Sequence, residues 1–352
     1  MDWVGLGILV AKVLVAFGFL LVSVLLLIWV ERKVVADMQS RVGPDRAGPW
    51  GILQSLADGI KLFFKEQVTP SKVELGAYLA APVLALLPAF LTFLVVPVGR
   101  PLTIGERLIP LQAMDLNVGV LYILAMSSVA VYAVVLAGWS SGSKYPLLGG
   151  VRSTAQMISY EAAMGLALVP LVMFAGTMSL AEIVVRQGGT WWGPIPRWFV
   201  FPQFIPFLLF FVAAVAETNR APFDLVEAEQ ELVGGFHTEY SGIRFAMFFL
   251  AEYINILNVS ALAVTLFLGG YQGFSFGLEG NPASLVSVGW FLLKLGGLLF
   301  VFVWIRATFP RLRYDQLMMV GWKRMIPVAL VWLVASTVAI SVRQFGLPWT
   351  GS

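Results

Sequence analysis

Eight apolar stretches, each long enough to cross a lipid bilayer, dominate this sequence. A transmembrane helix needs about 20 apolar residues to span the hydrocarbon core. Such stretches occupy roughly residues 4–30, 76–97, 116–139, 159–178, 198–216, 243–268, 285–309 and 325–342. They predict an all-α integral membrane protein with eight transmembrane helices, built as a single polytopic domain over residues 1–352.

The composition limits which functions such a membrane domain can have. Hydrophobic residues make up 59% of the chain and charged residues only 12%, about half the charged fraction of soluble proteins. These figures exclude disordered, fibrous and nucleic-acid-binding proteins. The chain has no cysteine and one histidine, His237, so it cannot by itself build iron–sulfur, disulfide or multi-histidine metal sites. We expect any electron-transfer cofactor to belong to other chains.

The distribution of Lys and Arg predicts the orientation of the helices. The connections after the odd-numbered helices contain 14 of these residues, whereas those after the even-numbered helices and the C-terminal tail contain 5. Because positive loops stay in the cytoplasm, both termini are predicted to lie outside. The first helix is predicted to be retained rather than cleaved as a signal peptide, since Asp2 precedes it and Arg32 and Lys33 follow it.

Residues 50–66, between the first two predicted helices, have the pattern of an amphipathic helix. The polar side consists of Gln54, Asp58, Lys61 and Lys65, and the apolar side of Leu53, Leu56, Ala57, Ile60, Phe63 and Phe64. A helix of this kind lies in the membrane interface, and one interpretation is a simple anchor. The alternative is that it frames a lateral opening for a lipid-soluble substrate, with Arg32 at the mouth to meet a polar head group.

The connection after the fifth predicted helix is unusually acidic. Between Glu217 and Glu239 it holds one cation, Arg220. Its carboxylates are Glu217, Asp224, Glu227, Glu229, Glu231 and Glu239. On a helix beginning at Pro222, Asp224, Glu227 and Glu231 would share a face and Glu229 would point away. Crowded carboxylates cannot all ionise and should titrate together; the alternative is a solvated acidic loop that pairs with a basic partner protein.

Two further carboxylates, Glu161 and Glu252, lie within predicted transmembrane helices. A charged side chain at the helix centre costs about 2.5–3.5 kcal/mol on insertion scales, so both are expected to face a polar interior. Asn255 and Asn258 extend the polar flank beyond Glu252. We therefore expect a buried polar path from the acidic loop through Glu217 toward Glu161 and Glu252.

The cations within the predicted spans offer a simpler explanation. Lys294 and Lys12 are candidate partners for these carboxylates. Lys294 and Glu252 could form one static interhelical ion pair, whereas Lys12, near a helix end, is expected to extend toward the interface.

Four long, gap-free segments resemble one family. They are Glu31–Glu66, containing GPDRAGPWG, Gly138–Glu161, Ala216–Gly242, containing AETNRAPFD, and Trp304–Lys323, containing WIRATFP. These segments resemble the membrane heel subunit of bacterial proton-pumping NADH:quinone oxidoreductase, or respiratory complex I, which joins the membrane arm to the peripheral arm. The similarity covers nearly the whole chain.

The resemblance implies roles for individual residues. The quinone-binding residues would be Arg32, Asp58, Gly59, Lys61, Arg220, Phe223 and Arg306. The proton-coupling residues would be Glu161, Glu217, Asp224, Glu227, Glu229, Glu231 and Glu252. The tunnel would start between the first helix, the amphipathic helix and the sixth helix. Some family members carry a carboxylate in the third helix, where this chain has Ser127 and Ser128 as the main polar residues.

The resemblance also implies a cellular context. The chain would lie in the bacterial inner membrane and contact the peripheral-arm quinone-site subunits and the small antiporter-like membrane subunits. The substrate would be a quinone such as ubiquinone. FMN and iron–sulfur clusters would belong to partner subunits, and this chain would hold no cofactor or metal and bind no nucleic acid. The alternatives are a membrane subunit of a related ion-translocating hydrogenase, an independent transporter and a passive scaffold.

Overall fold

The computed structural model describes residues 3–105, 107–190, 196–224, 233–274 and 277–345, most of them helical. The α-helices are α1 Trp3–Met38, α2 Gln54–Phe64, α3 Leu75–Phe93, α4 Gly119–Ser140, α5 Lys144–Ala175, α6 Leu180–Arg186, α7 Phe204–Glu217, α8 Gly242–Phe267, α9 Gly280–Thr308, α10 Tyr314–Met319 and α11 Ile326–Phe345. Short 3₁₀ helices span Pro49–Gly51 and Gly235–His237, and a π-helix, Val320–Met325, joins α10 to α11. Strands β1 Gly99–Ile104 and β2 Arg107–Leu111 form an antiparallel hairpin.

The membrane-spanning character of the chain is confirmed by the helix lengths. Among the described residues, seven helical segments are long and apolar enough to cross a membrane. The fifth predicted span corresponds to α7, an apolar helix of 14 residues. The chain is therefore a multi-pass, mostly helical membrane protein.

Helix α5 begins at Lys144, well before the predicted start near residue 159. The added turns pack closely against α4, where Gly138 and Gly150 face each other. A Cβ at Gly138 would lie 2.6 Å from the Pro146 carbonyl oxygen and 3.1 Å from the Gly150 Cα. Small residues allow close helix contact in membrane bundles, and this contact stabilises the first turns of α5. Hydrophobicity did not predict those turns because they mix polar and apolar residues.

The core lies where α5, α7 and α8 meet. Phe210, Phe267 and Leu171 are fully buried there, and the rings of Phe210 and Phe267 are 5.6 Å apart. Helix α8 is the most enclosed span, whereas α1 and α11 are the least enclosed. Residues of α8 are therefore well placed to hold polar groups away from lipid.

The hairpin β1–β2 is a small addition to the mostly helical architecture that the sequence predicted. It follows α3, at the opposite end of that helix from α2. The Ser287 hydroxyl accepts a hydrogen bond from the Arg100 N–H at 2.8 Å, and Asn281 exchanges two 2.8 Å bonds with the Thr103 backbone. These contacts come from the start of α9, far along the chain, and local sequence reasoning missed them.

Helix α2 matches the predicted amphipathic helix. It packs against α1 and α8, while the side chains of Phe63 and Phe64 are 70% and 88% exposed. An exposed apolar face on a helix beside membrane spans fits a position in the interface.

Candidate functional site

A buried group of charges joins α1, α8, α9 and the turn after α7. We call Glu31, Arg220, Glu252, Tyr253 and Arg306 the arginine cluster. The Arg306 guanidinium donates to Glu31, and the Tyr253 hydroxyl donates to the other Glu31 oxygen at 2.9 Å. Glu31 is only 7% exposed. A buried carboxylate needs such compensation, because desolvation otherwise outweighs the gain from packing.

Arg220 links the two carboxylates of the arginine cluster. Its Nε lies 2.7 Å from a Glu252 oxygen, and its Nη1 lies 3.8 Å from Glu31. The guanidinium also stacks over the Tyr253 ring, 4.4 Å from the centroid. Arg220 is 5% exposed, so a permanent positive charge is held between two acids inside the protein.

A second pair of acids has hydroxyl partners instead of arginines. Ser127 donates to Glu217, and the adjacent Ser128 donates to Glu161. Consecutive helical residues point about 100° apart, so Ser127 of α4 contacts α7 and Ser128 contacts α5. Within the described parts of the chain, neither Glu161 nor Glu217 forms an ion pair. We call these four residues the serine-backed pair.

Two cavities meet at Glu217. The loop-side cavity, of about 70 Å³, is lined by Glu217, Asp224, His237, Glu252 and Asn255, among others. The core-side cavity, of about 40 Å³, is lined by Glu217, Ser127, Asn255 and Asn258, among others. A water needs about 10–15 Å³ measured in this way, so each polar cavity has room for a few waters. Glu252 and Glu217 thus line one polar cavity, while the predicted continuation of the path to Glu161 stays a prediction.

The turn that carries Arg220 is fixed by Gln156 of α5. The Gln156 amide donates to the Ala216 and Phe223 carbonyls at 2.7 and 2.9 Å. Phe223 is buried, with its ring 5.3 Å from that of Tyr160. Sequence patterns did not identify Gln156 or Glu31 as site residues, because their partners lie far away in the chain.

Asp224, in the loop after α7, is almost completely buried. It lies 3.5 Å from Arg311 of the segment between α9 and α10. Glu227 and Glu231, predicted to share a helix face with Asp224, and Glu229, predicted to point away, lie outside the described residues.

The quinone-binding residues predicted near α2 form a separate, more exposed group. Arg32 Nη1 donates to Asp58 at 2.7 Å, and Gln54 donates to the same carboxylate at 3.2 Å. Burial opposes ionisation of Asp58, but the hydrogen bonds from Arg32 and Gln54 prevail and hold the pKa of that carboxyl below its usual value. Lys61 is exposed and Gly59 is half-buried, with open space at the position of a Cβ.

The interpretation of Glu252 and Lys294 as a static interhelical ion pair is wrong. Lys294 instead donates to the Leu268, Gly270 and Gln272 carbonyls at 2.7, 2.9 and 2.6 Å. These carbonyls belong to the turn that follows α8, and Lys294 satisfies their need for buried hydrogen-bond partners. Lys12 likewise donates to a carbonyl, that of Gln112 at 3.2 Å, rather than to a buried acid.

Helices that span a membrane around buried, partly paired carboxylates define a multi-pass membrane protein with an internal ionisable network. A family model described as NADH dehydrogenase matches residues 11–337. The chain belongs to the NADH dehydrogenase family, which includes membrane subunits of complex I. It is thus a complex I-type membrane subunit of an oxidoreductase complex.

Proposed function

We propose that this chain is the membrane heel subunit of a bacterial complex I, where it forms one wall of the quinone chamber and couples quinone reduction to proton translocation. The observation that carries the proposal is the position of Glu217, which lines both cavities and belongs to the serine-backed pair. Glu252 of the arginine cluster lines the same loop-side cavity. A charge change at the arginine cluster would therefore be felt across a short polar gap.

The proposed quinone tunnel starts between α1, α2 and α8. Its support is the exposed apolar face of α2, which suits an isoprenoid tail, beside the Arg32–Asp58 pair, which suits a polar head group. Gly59 leaves space on the same helix, and Lys61 adds positive charge. Arg306 would lie near the tunnel entrance, and Arg220 and Phe223 would border the chamber.

The proposed coupling begins with the redox state of the quinone. Reduction by a partner subunit's cluster changes the charge near Glu31 and Arg306, and Arg220 transmits that change to Glu252. Protons then redistribute among Asp224, Glu227, Glu229, Glu231, Glu252, Glu217 and Glu161. In this proposal the FMN and iron–sulfur clusters, and the oxidation of NADH, belong to partner subunits of the peripheral arm, and antiporter-like subunits receive the signal within the bacterial inner membrane.

The test is proton pumping by the assembled complex carrying Glu217→Gln or Glu252→Gln. We expect a large loss of pumping, because an amide cannot exchange a proton near neutral pH. The matched control is Glu182→Gln, which changes an exposed acid paired with Arg186 and should pump normally. Unchanged pumping and quinone reduction in both buried variants would contradict the proposal.

A second experiment addresses the tunnel. A photoreactive quinone should crosslink to residues 32–61 of this chain in the complex, and an excess of unmodified quinone should prevent the reaction. Labelling confined to other subunits would remove the tunnel from the proposal.

A further inference from the structure

The only histidine of the chain, His237, lines the loop-side cavity. It ends the 3₁₀ turn Gly235–His237, and the same cavity is lined by Glu217, Asp224 and Glu252. Histidine is the one side chain that ordinarily changes charge between about pH 5 and 8. The cavity therefore combines three acids with one group that can become a cation under physiological conditions.

Aromatic rings hold the imidazole in place. The ring of His237 lies 5.0 Å from that of Phe236, 5.3 Å from Phe245 and 6.3 Å from Phe249, measured between centroids. We call these rings the apolar seat of His237. The polar groups near the imidazole are those that line the cavity. The half-buried imidazole therefore lines the same cavity as these acids.

The charges around His237 are unequally compensated. Asp224 lies near Arg311, and Glu252 pairs with Arg220. Glu217, from α7, has the Ser127 hydroxyl as its described partner. Toward α8, Arg244 stacks over Tyr78, whose hydroxyl donates to the Glu239 carbonyl. Burial raises the pKa of Tyr240 to about 12, so that phenol stays neutral.

We propose that His237 is a proton-binding residue of the loop-side cavity and that its charge decides whether Glu217 holds or releases a proton. This inference rests on the proposed coupling role of Glu217. A proton that arrives on the imidazole creates a cation, which favours the Glu217 carboxylate, and the Glu217 proton leaves toward the core-side cavity. When the imidazole loses its proton, the cavity loses that cation and Glu217 takes up a proton. One proton enters for each that leaves, and the charge of the cavity is conserved.

The experiment compares variants with fixed charge at this position. His237→Asn is neutral at every pH, and His237→Lys is designed to stay charged. The complex is reconstituted in liposomes, and the initial pumping rate is measured from about pH 5.5 to 8.5, which covers the histidine range. The ratio of the wild-type rate to the Asn rate should follow a one-proton titration and change by at least about threefold across that range. The ratio of the wild-type rate to the His237→Lys rate should change with pH in the opposite direction.

A purely structural role gives a different result. Loss of packing would lower the rate by the same factor at every pH, so a constant ratio overturns the proposal. Phe245→Leu, which loosens the seat but keeps the imidazole, should retain the wild-type pH profile. If His237→Asn does not assemble, His237→Gln provides the neutral variant, and the same ratio decides.

The outcome is separable from that of the proposed function. If Glu217→Gln stops pumping while the His237 variants keep the wild-type profile, only the role of His237 is overturned. If Glu217→Gln pumps normally, the role of His237 is overturned, and if Glu252→Gln also pumps normally and reduces quinone normally, the proposed function is overturned too.

Discussion

Glu252 of the arginine cluster and Glu217 of the serine-backed pair line the same cavity, yet they have different partners. An arginine is always charged and favours a charged acid beside it. A serine hydroxyl can donate to a carboxylate or accept from a neutral acid, and it accommodates both forms. Arg220 therefore favours the ionised form of Glu252, whereas the hydroxyl partner of Glu217 suits its ionised and its protonated forms alike. Similar residue types in neighbouring helices have acquired different properties from their contacts.

The largest expected effect comes from breaking the compensation in the arginine cluster. Glu31→Gln removes the acid that Arg306 and Tyr253 contact and leaves buried positive charge in excess. Removing one partner of a buried ion pair costs about 3–5 kcal/mol, so we expect a clear fall in the thermal unfolding midpoint of the complex. The matched control, Glu182→Gln at an exposed pair, should leave that midpoint unchanged. Equal midpoints for the two variants would show that the cluster is not energetically different from the surface.

A smaller effect on stability is expected from changing the serine-backed pair. Ser127→Ala removes the hydroxyl that donates to Glu217, and the loss of such a hydrogen bond typically costs about 0.5–1.5 kcal/mol. We expect a modest fall in the unfolding midpoint together with slower pumping. Ser141→Ala, at the end of the same helix, is the control, because its hydroxyl donates to the Ala137 carbonyl at 2.6 Å. If both serine variants pump equally well, the hydroxyl at Glu217 has no special role.

The smallest effect on stability is expected at the exposed Arg32–Asp58 pair. This ion pair lacks the burial of the arginine cluster, so it shows what pairing alone contributes. Asp58→Asn should cost less than about 1 kcal/mol, as is usual for surface ion pairs. Because the pKa of Asp58 is lowered in the folded protein by Arg32 and Gln54 against the effect of burial, the stabilisation is present above the ordinary carboxyl pKa of about 3.9. It should disappear as the pH falls below that value. The check is the difference in unfolding midpoint between wild type and Asp58→Asn at about pH 7 and about pH 3, on either side of that pKa; a difference that grows in acid would contradict this sign.

The spans and the amphipathic helix could be predicted because they depend on local patterns. Hydrophobic length indicates where a helix crosses the bilayer, and the period of α2 indicates its two faces. The hairpin β1–β2 and the early start of α5 depend on contacts with Asn281 and Gly138, which no local pattern reports.

The site was only partly predictable for the same reason. Intramembrane acids are costly, so Glu161 and Glu252 were recognisable from position alone. The partners of these acids were not. Arg306 and Glu31 are 275 residues apart in the chain. Lys294, predicted as a partner for Glu252, donates instead to carbonyls of the turn after α8.

The small size of the two cavities has an electrical consequence. A wide aqueous pore would let sodium, potassium and chloride leak across the bilayer and would collapse the voltage that a respiratory membrane maintains. A few water-sized spaces interrupted by one glutamate side chain are too narrow for hydrated ions of that kind. The two cavities therefore offer hydrated electrolyte ions no passage through this part of the described bundle.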